Sequence, residues 1–589
     1  MTSKQFVLSY ATNTPMLGRE LETRIQGASR HVAGLLGDSF SVTHIGDNRS
    51  GFVVWESEGT RVTWPAVVKN DNEGAAWLHI PAVAGTPDDA QDALSLARNV
   101  MSGRVDRVEL GAPCAAIYWN NGQLRIVNDN LGMVRFFEYD MPDFGTVWCT
   151  RSGLAHVFAA VEPAMDDQAW AGMATLGWNA TGRTHMGSGR QLPPRSKISV
   201  NSSGGVLTTQ TSHDWMRSVL AGPEPSMAVA ARDMSHSLSR ALWWPQPAIA
   251  DLSGGKDSRV TAAAAIRSGA VHRLRTMDTD SGEVMTAKQL VGLLDTAVQH
   301  SIAPVSQPAS RGDDLLNRYK LLHQAWEGAY NARTAYRTSA VKTFKYAAAP
   351  KINGLGGEAM QGKSLLGGKW DERLRGADIE VGFERLEHMV RVGAGSSDEA
   401  GDKVVDEVRA FKTGAIEMKF TNAYAFMDYF YNRSKMPFWS LPLAQENYLL
   451  PYYSARMLER IIWSNKYPRK YGEMHKEILR SLVPAWSEIA FYKPSARTRS
   501  VSWMWENSDW AEARQVVEEG RSSSNHYSEK KISTYLARVD GGAGSVKEET
   551  AFSRILWERT FRDYVMRVAS EAARVKREVI QAKHESYHR

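Results

Sequence analysis

Asp251-Leu252-Ser253-Gly254-Gly255-Lys256-Asp257-Ser258 follows the apolar run Ala248-Ile249-Ala250 and leads into a helical pattern that stops at Ser268-Gly269. The order is strand, loop, helix, with Ser258 the expected N-cap and Gly269 the stop. Such a loop suits phosphate. Two glycines let the backbone approach the oxygens, N–H groups point at the anion, and the helix N-terminus adds partial positive charge. Ser253 and Ser258 add hydroxyl donors, and Lys256 sits in the same loop. Asp257 would repel a phosphate directly, but it suits a Mg²⁺ ion that bridges phosphate oxygens. At average usage S-G-G-x-D-S arises by chance in roughly one chain per thousand of this length, so an ordinary turn is the weaker reading. The loop does not fit the Walker pattern G-x-x-x-x-G-K-S/T.

The rest of the chain is read outward from this loop. Upstream, to about residue 215, short β-like runs alternate with turn signals: Phe52 to Trp55, Ala115 to Trp119, Val134 to Phe137, Lys197 to Val200 and Val206 to Thr208. Asn120-Asn121-Gly122 and Gly204-Gly205 mark hairpins. Thr86 and Pro87 open an expected helix to Val100. From residue 216 helical patterns take over, at Met227 to Leu242, Ser258 to Arg267 and Val284 to Leu294, with Arg273 to Met277 a buried strand. Strand–helix alternation implies a parallel sheet with crossover helices. Asp313 to Ile462 reads as nearly all helix, Glu519 to Lys547 as loop, and Glu549 to Ala582 as a closing amphipathic helix. The expected fold class is α/β, in two domains, 1–215 and 216–589.

The chain has 589 residues, 43% hydrophobic, 10% aromatic and 23% charged, which excludes a disordered or collagenous chain. Its net charge of +6 permits an anionic substrate without demanding nucleic acid. Neither a signal peptide nor a membrane span is expected, so the cytoplasm is the expected location. Cys114 and Cys149 cannot build a disulfide framework or a four-cysteine zinc site.

The loop at 253–258 resembles the PP-loop of the ATP pyrophosphatase superfamily, whose members cleave ATP between the α and β phosphates and adenylate a substrate. Within it the chain resembles the asparagine synthetase family, an Ntn-type αββα glutaminase domain followed by a PP-loop synthetase domain. Asn128-Asp129-Asn130-Leu131-Gly132-Met133-Val134-Arg135-Phe136-Phe137 looks like the family's D-x-L-G-x-x-P-L-Y-Y hairpin. Gly189-Arg190-Gln191-Leu192-Pro193-Pro194-Arg195 is similar to its R-R-L-P-P-G stretch, and Ser281-Gly282-Glu283 to the opening of its second adenylate-side loop. Asn353-Gly354-Leu355-Gly356-Gly357-Glu358 resembles the family's S-G-E-G-x-D-E loop, and Ala490-Phe491-Tyr492-Lys493-Pro494 its late lysine loop. The resemblance implies ATP and Mg²⁺ as cofactors. Ser253, Gly254, Gly255, Lys256, Ser258, Met277 and Gly354 would bind nucleotide. Asp257 and Glu358 would hold the metal, and Lys493 would offset charge developing at the α-phosphate.

Two departures shape the functional expectation. Thr2 stands where the glutaminase nucleophile would be a cysteine freed by Met removal, and no H-R-G-P-D stretch follows, so glutaminase activity is expected to be lost. Leu355 stands where the synthetases carry glutamate and the β-lactam-forming relatives tyrosine, so the amine's proton must be taken elsewhere, with Glu446 the candidate. These losses resemble the branch that closes an intramolecular amide: β-lactam synthetases and the macrolactam cyclases of lasso peptides. The expected enzyme is an AMP-forming carbon–nitrogen ligase. Its partner is a small or peptide carboxylate, such as a precursor peptide with a leader peptidase, and neither nucleic acid nor membrane. Asparagine synthase and a catalytically inactive binding homologue are the alternatives.

Overall fold

The computed structural model describes residues 5–587 apart from 37–38, 58–66, 82–91, 107–108, 181, 202–204, 211, 296, 305–314, 336–348, 361–365, 367, 437, 439–447, 465–471, 494–503 and 508. Twelve strands build the first part: β1 (Gln5–Thr12), β2 (Phe40–Gly46), β3 (Ser50–Ser57), β4 (Val67–Lys69), β5 (Glu73–Leu78), β6 (Ala115–Asn120), β7 (Gln123–Asn128), β8 (Phe137–Met141), β9 (Gly145–Cys149), β10 (Arg190–Gln191), β11 (Ser196–Val200) and β12 (Val206–Gln210). They form two antiparallel six-stranded sheets, ordered β10-β8-β9-β1-β3-β2 and β12-β11-β7-β6-β5-β4.

The period-2 alternation of the strands sorts their side chains into layers. Val7 and Ala11 of β1 join Ile117 of β6 and Ile126 of β7 in a core between the sheets. Phe6, Leu8 and Tyr10 face the other way, onto the helices Glu20–Leu36 and Ser152–Ala159. The second sheet turns Trp77, Ala116 and Tyr118 onto the helix Ala93–Ser102. The result is four layers, helix–sheet–sheet–helix.

Asn121 (φ 46°) and Gly122 (φ 79°) close the β6–β7 hairpin, since only such residues tolerate two consecutive positive φ values. β11 and β12 pair as expected, although 202–204 lie outside the described residues. The run Val134 to Phe137 is a correction, because β8 starts only at Phe137. Upstream of it the buried Asp129 carboxylate accepts the N–H groups of Leu131 and Met133 and coils the chain into a turn. The helix expected from Pro87 begins at Ala93, capped by Asp92, with Thr86 and Pro87 outside the described residues. The two stretches that carry the N-terminal resemblance pack on each other: Asn128 Nδ2 donates to Pro193 O (2.8 Å) and Arg195 N to Asp129 O (2.9 Å).

The second part is built on a parallel sheet of β13 (Ala248–Asp251), β14 (Val271–Asp278), β15 (Gln299–Pro304), β16 (Lys351–Ile352) and β17 (Tyr448–Leu449). Its order is β15-β14-β13-β16-β17, and every pair is parallel. The chain winds outward from β13 in one direction and then returns to add β16 on the other side. That reversal leaves a crevice beyond the carboxyl ends of β13 and β16. β16 and β17 correct the expectation of nearly unbroken helix after Asp313. At two residues each they are too short to register as periodicity.

Glu519 to Lys547 is also a correction. Helices cover Trp510–Ser523 and Glu529–Asp540, the second capped by Ser528 and burying Ile532, Tyr535 and Leu536. A 42-residue helix, Val546–Tyr587, then runs about 63 Å back along the molecule. It lies against the first part, with Arg30 paired to Glu571 (2.9 Å) and Glu578 (2.7 Å). Gly27 is needed there, since a Cβ would sit 2.3 Å from Val575 Cγ2. Among the described residues no helix is long and apolar enough to cross a membrane.

Candidate active site

β13 ends at Asp251, and the helix Asp257–Ser268 begins after the loop 252–256. Ser258 is not the N-cap expected from sequence, because the helix starts two residues earlier, with Lys256 at the cap position. Its hydroxyl instead closes the loop, accepting from Ser253 N (3.1 Å) and lying 2.7 Å from Ser253 Oγ. Gly255 N donates to Ser253 Oγ (3.2 Å). Gly269 ends the helix in the left-handed conformation (φ 71°), as expected.

The second loop, after β16, is pressed directly onto the first. A Cβ on Gly354 would lie 2.7 Å from Ser258 N, and one on Gly357 2.7 Å from Asp257 Cβ. This close approach explains both glycines. It also brings Glu358, in the turn Gly357–Met360, beside Asp257. Burial and the Asp257 charge raise the Glu358 pKa, while the Gly356 N–H bonded to its Oε2 (2.8 Å) opposes the rise. A buried carboxylate whose proton affinity is raised by a second carboxylate beside it marks a site that gains from a cation. The pair therefore fits a Mg²⁺ ion, which usually takes one or two protein carboxylates and completes its shell with phosphate and water.

Sequence reasoning missed the residues that set this geometry. His475 is fully buried, and its Nε2 lies 2.7 Å from Asp257 Oδ1. Burial lowers its pKa against the pull of Asp257, so the neutral ring donates Nε2–H and orients the carboxylate. Tyr452 Oη donates to the Asp257 carbonyl (3.0 Å). Arg259, with no exposed surface, donates to Gly254 O (2.8 Å), Ile489 O (2.6 Å) and Ala490 O (3.0 Å). Tyr492 N donates to Gly254 O (2.8 Å), and Tyr492 Oη to Asp280 (2.6 Å), which caps the helix Ser281–Gly292. One arginine and one tyrosine thus clamp the late loop to the first loop. Neither has a signal in local sequence, because the contacts that join the two loops span more than 200 residues.

Lys493 follows Tyr492 and is exposed at the rim of the first loop. Lys256 is buried beside Glu358 and His475, where its charge acts on both. Met277 is half-buried near the carboxyl end of β14, next to β13. Leu355 packs partly buried against the large core, its N–H on Asn353 Oδ1 (3.0 Å). Glu446 lies outside the described residues, as does Thr2. Another base stands near: Lys435, on the π-turn Tyr431–Lys435, is close enough to feel the Glu358 charge. Its ammonium lies 4.9 Å from the Trp178 ring and 5.5 Å from the Tyr431 ring. Burial lowers its pKa, so it holds its proton less tightly than an exposed lysine. Both cysteines are buried at 0% exposure with thiol pKa values pushed up by burial, as inert thiols should be.

No protein-family model and no curated protein matches the chain. Among solved structures it is similar to one titled "Structure of the allosteric regulatory enzyme of purine biosynthesis". The identity is 10%, over 52% of this chain and 81% of that one, with a TM-score of 0.23. A likeness that slight carries no argument.

Proposed function

We propose that the chain is a cytoplasmic, ATP-dependent, AMP- and pyrophosphate-forming amide synthetase of the asparagine synthetase type. It adenylates a substrate carboxylate for attack by an amine of the same substrate, without hydrolysing glutamine. The observation that carries this reading is the seating of Gly354 and Gly357 on Asp257, which sets Asp257 beside Glu358 at the switch point of a parallel sheet. The four-layer first part has the layering that an Ntn-type domain requires, and the reading treats it as a scaffold.

In this mechanism the pyrophosphate end of ATP lies on Ser253, Gly254, Gly255 and Ser258, with Lys256 and Gly354 alongside and Met277 toward the adenosine. Asp257 and Glu358 would hold Mg²⁺, which when bound neutralises phosphate charge. His475 keeps Asp257 in the required orientation. The substrate carboxylate attacks the α-phosphate and pyrophosphate leaves, giving an acyl-adenylate, while Lys493 offsets the charge that develops there. The amine then attacks the acyl carbon and AMP leaves. Lys435, in the uncharged form that its burial favours, would take the proton that Leu355 cannot. Holding amine and acyl group together supplies much of the rate. A peptide long enough to fold back on itself is the substrate class proposed.

The test is ATP–pyrophosphate exchange with the full chain and a panel of peptide and small carboxylates. Carboxylate-dependent exchange that is lost in Asp257→Ala supports the reading. Exchange absent with every carboxylate, or unchanged in Asp257→Ala, overturns it. Ammonia-supported conversion of aspartate to asparagine would replace it with asparagine synthase.

A further inference from the structure

A cavity of about 170 Å³ lies between the N-terminal sheets and the helical region. A single water needs only about 10–15 Å³ measured in this way, so the space accepts an organic molecule. Three charged side chains line it: Arg183, Glu327 and Arg433. Arg183 is spent on Asp166, with Nη2 2.6 Å from Oδ2 and Nε 3.1 Å from both oxygens. Glu327 is spent on Arg135 (3.1 Å) and the N–H groups of Ser152 and Gly153. Arg433 has neither kind of partner among the described residues. Its Nε and Nη1 are buried with no hydrogen bond.

His185 lines the same cavity, and its Nε2 is likewise buried without a partner. Burial lowers its pKa to about 3, so it adds a neutral polar atom and no second charge. Buried donors without a partner are costly, and Arg433 brings a cation with no ion pair among the described residues to the wall of this cavity. A guanidinium fork matches a carboxylate. A second negative charge would find no second uncommitted cation among these lining groups. The rings of Phe137, Phe411 and Phe438 supply an apolar wall.

We propose that this cavity binds a small aromatic monocarboxylate, with Arg433 taking the carboxylate and the phenylalanine rings the apolar body. The assignment does not depend on the proposed ligase activity. Arg433 sits on the π-turn that also carries Tyr431 and Lys435 within reach of the Glu358 charge. Such single π-turns frequently mark functional positions.

The test is calorimetric titration of the full chain, without ATP, with phenylacetate and with its uncharged isostere phenylacetamide. Phenylacetate is expected to bind at least tenfold more tightly than the amide. Arg433→Gln is expected to erase that preference and Arg433→Lys to keep part of it. Asp257→Asn is expected to bind phenylacetate as the wild type does, which separates this cavity from the adenylation site. Arg433→Met is expected to melt no lower than the wild type in the absence of ligand, since it removes a donor without a partner. Equal binding of acid and amide, or no binding of the acid at millimolar concentration, overturns the proposal on the wild-type protein alone. Undiminished preference in a folded Arg433→Gln, loss of binding in Asp257→Asn, or a strongly lowered melting temperature in Arg433→Met overturns it as well.

Discussion

At the scale of single residues, the candidate site depends on what is missing as much as on what is present. Gly357 has no Cβ, and that is what lets the Glu358 loop reach Asp257. Gly357→Ala must push the loop away by several tenths of an ångström. It is expected to lower exchange activity at least a hundredfold with the far-ultraviolet dichroism unchanged. A uniform loss of helical signal would instead assign the glycine to folding. Asp257→Asn keeps the shape and the His475 hydrogen bond but removes a charge. A drop in kcat of about 10² to 10³ with little change in melting temperature is the expected outcome. Asp257 was legible in the sequence because chemistry fixes its spacing within one loop, and Glu358 through the resemblance of its own loop. His475, Tyr452 and Lys435 were not, because their meaning comes from what folds onto them.

At the scale of elements, the strand–loop–helix unit was readable because its signals are local: an apolar run, two glycines, and Gly269 as a stop. The late loop's position was not readable. It is held by Arg259 and by Tyr492, whose hydroxyl reaches the capping residue Asp280. Asp280 accepts from Gly282 N and Glu283 N as well, so one carboxylate both starts a helix and anchors the Lys493 loop. Asp280→Ala is expected to cost about 1 kcal/mol in thermal or denaturant unfolding, a typical cap loss. It is also expected to reduce exchange more than Asp280→Asn does, because asparagine keeps an acceptor for Tyr492. If both variants were equally active, the tyrosine anchor would have no part in catalysis. The segment 519–547 was misread for a related reason. Its serines and glycines are turn formers in isolation, but Ser528 serves as a helix cap and buried Ile532 and Leu536 hold the helix.

At the scale of the whole molecule, the two halves are joined by a buried charge cluster. Glu327 is 2% exposed and has φ 47°. It accepts from Arg135, from the N-terminal N–H groups of the helix Ser152–Ala159, and from Tyr564 on the long C-terminal helix (2.9 Å). Burial alone would raise its pKa, but Arg151 and Arg135 outweigh it and hold the carboxyl below the usual range. Glu327→Gln leaves buried arginines uncompensated and is expected to cost about 3–5 kcal/mol in denaturant unfolding. Because the folded-state pKa lies below the unfolded one, the contribution is complete above the ordinary glutamate range. It is lost as pH falls through the folded value. His526 gives the opposite dependence. Burial pushes its pKa down, but Glu558 (3.2 Å) and Asp167 (3.0 Å) more than offset this and raise it. Its stabilisation is complete below the ordinary histidine pKa and fades as pH rises through the folded value. Melting curves from pH 5.5 to 8.5 should therefore show a decline that His526→Gln removes.

Local patterns were enough for the strand-rich first part, the parallel-sheet second part and the loop 253–258, since each rests on spacing within a dozen residues. Which of the later segments added the fourth and fifth strands was decided only on folding, because β16 and β17 have two residues each and owe their conformation to pairing, β16 on β13 and β17 on β16. The same holds for the clamp at Arg259, the long helix lying back across the first part, and the cavity at Arg433. In every one of these the contact energy comes from partners about a hundred or more residues apart, and no periodicity in the chain records such a distance.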